Sequence, residues 1–232
     1  MTTQSALGPS SRVLIIGASG GIGQACAIAA GNICGMMNVT MLSRAADDFD
    51  ITDETSVAEH LGQLDGPFDA ILIATGGLEV DGFAPEKSLR SIQSAAFEAQ
   101  FALNAIGPAL VFKHVSRLLP KDRPALIAAL SARVGSIGDN QLGGWISYRA
   151  AKAALNQIIR TASIELTRSH PLSTCVAIHP GTVRTPLTEK YVGNNPAVAP
   201  ATAGQNILNV LSNLRPSDTG QFFDWQGVPV EW

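Results

Sequence analysis

The chain has 232 residues, a formal net charge of −3 and 46% apolar residues. At about 150 residues per domain its length admits one domain or two. No low-complexity linker or charge run divides it, so residues 1–232 read as one domain with 1–11 as a flexible tail. An acidic balance argues against nucleic-acid and anionic-membrane partners, which would want a basic face.

Cys26, Cys34 and Cys175 are odd in number and have no metal-type spacing, as expected of reduced thiols in a cytoplasmic protein. The polar N-terminus lacks the basic flank and apolar core of a signal peptide. No apolar run approaches the length of a membrane span.

In chain order, the uninterrupted apolar run 13–16 reads as a buried strand of a parallel sheet. It breaks at a glycine-rich turn, 17–23, and passes into a small-residue helix over 24–30. A second strand covers 39–42 and a short third one 49–53, with Thr52 or Asp53 capping a helix over 54–64. A fourth strand follows at 70–74. A long helix spans 91–118 with an interruption at Gly107-Pro108. Then come a strand at 125–130, a helix at 148–167, a strand at 175–178, a helix at 200–212 and a last strand at 221–224. This alternation predicts an α/β fold of the Rossmann type, a doubly wound parallel sheet of about seven strands with helices on both faces.

Strand before and helix after give the glycine turn a meaning. Gly17, Gly20, Gly21 and Gly23, with Ser19 and Ile22 between them, can present backbone N–H groups and a helix N-terminus to a pyrophosphate. A tight strand-to-helix turn with no ligand is the plainer reading. At the end of the second strand, where an acid would bind the ribose 2′-OH of NAD, the chain has Ser43-Arg44; an Arg there suits the 2′-phosphate of NADP. NADP is therefore expected over NAD. Asp50 could accept a hydrogen bond from the adenine amino group.

Tyr148 and Lys152 lie four residues apart in an Ala-rich helix, hence on one face. An ammonium beside a phenol favours the phenolate, so the pair is expected to lower the Tyr148 pKa and work as a proton donor. Such pairs also decorate many helices.

Taken together these residues resemble the short-chain dehydrogenase/reductase superfamily over nearly the whole chain. The matches are Gly17 to Gly23, Asp50-Ile51-Thr52, Asn104, Tyr148 with Lys152, and Pro180-Gly181-Thr182-Val183-Arg184-Thr185. The stretches Arg133-Val134-Gly135-Ser136-Ile137, Gly143-Gly144-Trp145 and Phe222-Phe223-Asp224-Trp225 are similar to the C-factor-like and sniffer-like carbonyl reductases. The resemblance implies hydride transfer between a nicotinamide and a small or medium carbonyl or alcohol. Tyr148 would be the acid/base, assisted by Lys152, and Asn104 would hold a water by its side chain or local backbone. Ile51, Ala74, Thr75, Gly76 and Gly77 would line the adenosine side, and Pro180, Gly181, Val183 and Thr185 the nicotinamide side. A homodimer or tetramer through the helix of Tyr148 and the long helix before it is also implied.

Two departures stand out. Where the family has a Ser that orients the substrate carbonyl, this chain has Ala132. Ser131 is the expected substitute, although it should point to the opposite side of an extended segment. A lost oxyanion donor typically costs about 2.7–4 kcal/mol of barrier, which motivates the alternative of a dinucleotide-binding regulatory or signalling protein with little turnover. The second departure is Ala74-Thr75-Gly76-Gly77 in place of Asn-Asn-Ala-Gly. His179 reads as a packing residue near the pocket, and Trp145, Leu142 and the segment 187–198 as pocket wall and lid.

Overall fold

The computed structural model describes residues 7–186, 188–192 and 196–232. Its elements are β1 (Val13–Ile16), α1 (Gly21–Cys34), β2 (Val39–Leu42), α2 (Arg44–Asp47), α3 (Glu54–Gly62) and β3 (Ala70–Ile73). There follow α4 (Ser94–Phe101), a π-helical turn (Ala102–Ile106), α5 (Gly107–Val115), β4 (Ala125–Leu130) and α6 (Ile146–Ser169). The chain ends with β5 (Ser173–His179), α7 (Glu189–Val192), α8 (Pro200–Asn213) and β6 (Phe222–Asp224).

The strands form one parallel sheet in the order β2-β1-β3-β4-β5-β6. Every residue of β1, β3 and β4 is buried, because helices cover both faces and the strands need no polar side. Leu14, Ile16, Ile71, Ile73 and Ile127 pack with Val111, Val115, Leu155 and Ile159 of α5 and α6 on one face. Val13, Ile15, Leu72 and Leu126 pack with Cys26, Ala27, Ile207 and Leu211 of α1 and α8 on the other. All three cysteines are buried and free. The chain leaves β1 toward β2 in one direction and returns to β3 on the other side. The carboxyl ends of β1 and β3 therefore form the crevice where such sheets bind ligands.

The sheet has six strands rather than about seven. Residues 49–53 make no ladder because local side chains capture their backbone. Asp50 Oδ1 accepts from Thr52 N at 2.9 Å and Thr52 Oγ1 at 2.7 Å, while Asp50 N donates to Ser56 Oγ at 3.0 Å. Such short polar contacts compete with strand pairing. β2 is consequently the sheet edge, and Met41 is exposed there. Asp53 caps α3 by accepting from Thr55 N at 2.9 Å.

The long helix also differs. Gly107-Pro108 does not break the helix; the irregularity falls one turn earlier, at the π turn holding Asn104, a local change of hydrogen bonding just before the Pro that lacks an N–H. The continuous helix Ser94–Leu118 is long and apolar enough to cross a membrane by length and composition, contrary to the reading that no run approaches that length. Here Val111, Val115 and Leu118 are spent on the core.

Candidate active site

The glycine turn closes the end of β1. Gly17 N and Ala18 N both donate to Leu42 O, at 2.8 and 3.1 Å, which ties the turn to β2. Gly17 adopts φ +87°, and a Cβ there would meet Thr75 N at 2.9 Å, so only glycine fits against the end of β3. Helix α1 starts at Gly21 with Gly20 as N-cap and no side-chain cap, leaving its first turn open to an anion. Ser19 and Gly20 are exposed, Ile22 is half-buried and Gly23 is buried. A Cβ on Gly21 would lie 3.0 Å from Thr185 Cγ2, so Thr185 sits over this helix start.

Opposite stand Ala74, Thr75, Gly76 and Gly77. Ala74 N donates to Ile16 O at 2.7 Å. Gly77 N donates to Asn104 Oδ1 at 3.1 Å, and Asn104 Nδ2 returns to Gly77 O at 2.9 Å and to Gln100 Oε1 at 2.7 Å. Gln100 in turn donates to Leu78 O at 2.9 Å. The Asn104 side chain, completely buried, is thus spent on bracing this loop. That supplies the support for which the missing asparagines would otherwise serve.

Helix α6 brings Tyr148 and Lys152 to the same place. Lys152 Nζ donates to Leu130 O at 2.9 Å and lies 5.9 Å from the centroid of the Tyr148 ring. A Cβ on Gly76, at φ +145°, would lie 3.2 Å from Lys152 Nζ and 2.8 Å from Asn104 Oδ1. Tyr148, Lys152, Asn104 and Gly76 therefore meet around one small space. The expected lowering of the Tyr148 pKa by Lys152 is not found. Desolvation by the surrounding protein pushes the phenol up to about 12 and Lys152 down to about 8. Among the described residues the Tyr148 hydroxyl carries no hydrogen bond.

Ser131 does not fill the place of Ala132. Its buried Oγ donates to Asn156 Oδ1 at 2.6 Å, and Asn156 Nδ2 donates to Gly135 O at 3.3 Å. In an extended segment the next residue faces the other way. Ala132, at φ −144° and ψ 146°, is extended and more exposed than Ser131.

Farther along the crevice, Arg44 is exposed at the start of α2, where Ser43 Oγ caps by accepting from Ala46 N at 3.2 Å. Asp47 turns back to accept from Ser43 N at 2.8 Å, while Arg44 and Asp48 stay exposed. Asp50 is held below the usual carboxylate range by the Thr52 hydroxyl and N–H, with a smaller contribution from Arg44. Ile51 is buried beneath it against Gly107.

At the other end Pro180 follows β5, and Trp225 packs beneath Gly181. Val183 pairs with Val198, and Thr188 Oγ1 bridges Val183 O and Thr185 N. Trp145 touches both Tyr148 and Tyr191 edge-on, with centroids 6.4 and 5.8 Å apart. The Tyr191 hydroxyl donates to Glu79, and Lys190 pairs with Glu79 at 3.0 Å. Of the expected lid, Leu187 and residues 193–195 lie outside the described residues. Leu142 is almost fully exposed. His179 is held neutral by burial, with a pKa of about 4, and its Nδ1 has no partner.

Residues 11–195 match the family model for short chain dehydrogenases. The chain belongs to the short chain dehydrogenase family. It is an oxidoreductase by that membership. A 1-hydroxy-2-glutathionyl-2-methyl-3-butene dehydrogenase of Rhodococcus sp. (strain AD45) is 30% identical over 190 residues, 79% of this chain and 78% of the relative. The C-signal protein of Myxococcus xanthus is 36% identical over 149 residues, covering 62% and 84% of the two chains. Among solved structures, the carbonyl reductase Sniffer of D. melanogaster matches with a TM-score of 0.78 at 21% identity, covering 96% of this chain and 99% of that one. An NADPH-bound carbonyl reductase from chicken fatty liver matches with a TM-score of 0.82 at 21% identity, covering 100% and 97%. The expected likeness to C-factor-like and sniffer-like proteins is met.

Sequence reasoning missed Gln100, Asn156 and Glu86 in this short chain dehydrogenase. Two carried a signal. Gln100 stands four residues before Asn104, and Asn156 four after Lys152, so each extends a helical face already marked for chemistry.

Proposed function

We propose that the protein is an NADP(H)-dependent carbonyl reductase that converts a small or medium carbonyl to its alcohol, or the reverse. The convergence of Tyr148, Lys152 and Asn104 at the Gly76 space carries this reading. The dinucleotide fits the residues present. The α1 start is uncapped, and the buried Thr75 Oγ1, packed close to Gly17, has no partner. Arg44 would hold the 2′-phosphate, Gly17 to Gly23 and Thr185 the pyrophosphate, and Asp50, Ile51, Ala74 and Thr75 the adenosine, with Gly76 and Gly77 continuing from there toward Lys152. Lys152, Pro180, Gly181 and Val183 would hold the nicotinamide end. When bound, the cofactor supplies or takes the hydride.

The chain's own residues handle the proton. With its pKa at about 12, Tyr148 is fully protonated at neutral pH, and its free hydroxyl donates to the substrate oxygen as negative charge grows there. Lys152, anchored on Leu130 O, lies beside that ring as a positive charge or a donor. Trp145 and Tyr191 offer the substrate an aromatic wall, suited to an apolar group. A homo-oligomer is part of the same reading, with Ile106 and Ile164 exposed on the helices that would pair.

The test is Tyr148→Phe in purified protein, with NADPH oxidation followed against a panel of carbonyls. Turnover should fall by about 10²–10⁴-fold, the usual worth of a positioned acid, with NADPH binding kept. Undiminished turnover would reject Tyr148 as the acid. A second reading, a dinucleotide-binding regulatory protein with weak turnover, is favoured by one observation: Ser131 is committed to Asn156 and Ala132 has no hydroxyl.

A further inference from the structure

Helix α6 carries Tyr148 in its first turn yet has no cap of its own. Its N-cap is Trp145 in the left-handed region at φ 51°, following Gly143 and Gly144 at φ 63° and 67°. A bulky residue is strained there and persists only where its surroundings dictate it. Those surroundings come from 60 residues upstream. Glu86 O accepts from Trp145 N at 2.6 Å. Glu86 Oε2 accepts from Ser147 N at 3.2 Å and from Ser147 Oγ at 2.9 Å. Glu86 is buried, 4% exposed, and its Oε1 has no partner. A buried carboxylate is expensive, and a helix start needs only one short polar side chain in place. A remote acid therefore does something a local cap would not, which is to lock the first turn to the loop after β3.

We propose that Glu86 is a positioning residue for Tyr148, capping helix α6 from a distance so that the phenol is held at one place against Lys152 and Gly76. The idea rests on the proposed role of Tyr148, but its structural half can be read without turnover. Tyr148 and Tyr191 are the only tyrosines in the sequence. Tyrosine labelled with ¹³C at Cζ therefore gives two resonances, and Tyr191→Phe assigns them.

The experiment compares Glu86→Ala, Glu86→Gln and Ser147→Ala in the full chain. Glu86→Ala should lower kcat roughly tenfold or more, since a misplacement of about 1 Å can cost 10²-fold. NADPH affinity should stay within about twofold, and the Tyr148 resonance should broaden or split. Glu86→Gln keeps an acceptor oxygen and should restore most of the lost rate and a single resonance. Ser147→Ala, which removes one donor, should shift the Tyr148 resonance and lower kcat less; it carries the test if Glu86→Ala does not fold. An unperturbed Tyr148 resonance in Glu86→Ala, or in Ser147→Ala in its place, overturns the proposal. So does a loss of NADPH affinity equal to the loss of kcat. Absence of turnover in the unmutated protein would instead reject the reductase reading, while the resonances still decide the role of Glu86.

Discussion

Ser131 Oγ donates to Asn156 Oδ1 at 2.6 Å, across the seam between the end of β4 and helix α6. That bond joins the segment before Ala132 to the helix of Tyr148 and Lys152, and it leaves the hydroxyl no free proton for a substrate. Restoring a hydroxyl at 132 should then matter more than removing the one at 131. Ala132→Ser is expected to raise kcat by about tenfold or more, because one oxyanion donor is commonly worth about 10²–10³. Ser131→Ala should leave kcat within a few-fold and lower the thermal midpoint, since Asn156 loses a buried donor. Steady-state kinetics and thermal melts of both variants check this. A large loss of kcat in Ser131→Ala, with none gained in Ala132→Ser, would return the substrate-orienting role to Ser131.

Arg44 stands outward while Asp47, the nearest acid, is turned onto Ser43 N. A 2′-phosphate would find the exposed guanidinium there, with Asp47 engaged and Asp48 exposed at the far end of α2. Arg44→Ala is expected to weaken NADPH binding by about tenfold or more, consistent with a charge-assisted hydrogen bond of about 1.5–3 kcal/mol. NADH binding should barely change. Fluorescence titration with both cofactors measures this; equal losses for the two would place Arg44 away from the phosphate.

The difference between what the sequence disclosed and what it concealed follows one physical line. Buried strands and the glycine turn were legible because apolar runs and glycines encode local conformation. The Tyr148–Lys152 pair was legible because helical spacing fixes a face. The strand expected at 49–53 failed because Asp50 and Ser56 bond their own neighbourhood, a choice that apolar patterning does not show. The direction of the Tyr148 pKa was missed because it depends on burial, a tertiary property. Glu86 was invisible for the same reason, since 61 positions separate it from Ser147.

His60 binds the loop of Arg44 in a way that depends on its proton. One ring nitrogen faces Ser56 O and the other Asp47 O, each at 2.8 Å. Two carbonyls ask for two N–H groups, which only the imidazolium supplies. These contacts raise the His60 pKa, the Ser56 carbonyl first. With the folded value above the unfolded one, the contribution is fully present below about pH 6.5 and is lost as pH rises through the raised value. Comparing thermal midpoints of the native chain and His60→Gln across pH 5.5 to 9, about the range a histidine titrates, should show the largest gap at the acid end. A gap independent of pH would mean that His60 acts by packing against Phe49 alone.

Lys152 is buried, 3% exposed, and burial lowers its pKa from 10.5 to about 8. An unfolded lysine keeps its proton until about pH 10.4. The folded state therefore bears the full cost of the buried ammonium below pH 8, and stability rises as pH climbs from about 8 towards 10.4. At 1.36 kcal/mol per unit that cost is roughly 3 kcal/mol, set against an ammonium hydrogen bond to Leu130 O worth about 1.5–3 kcal/mol. Lys152→Met keeps the apolar stem and removes the charge, so it should raise the thermal midpoint at pH 7 by up to about 4 °C. The gain should shrink steadily above pH 8, while turnover falls sharply at every pH. Melts of both proteins from pH 7 to about 9.5, below the point where an unfolded tyrosine ionises, give the answer. A variant less stable than the native chain at pH 7 would show that Lys152 is held by stronger interactions than its bond to Leu130 and its place beside the Tyr148 ring provide.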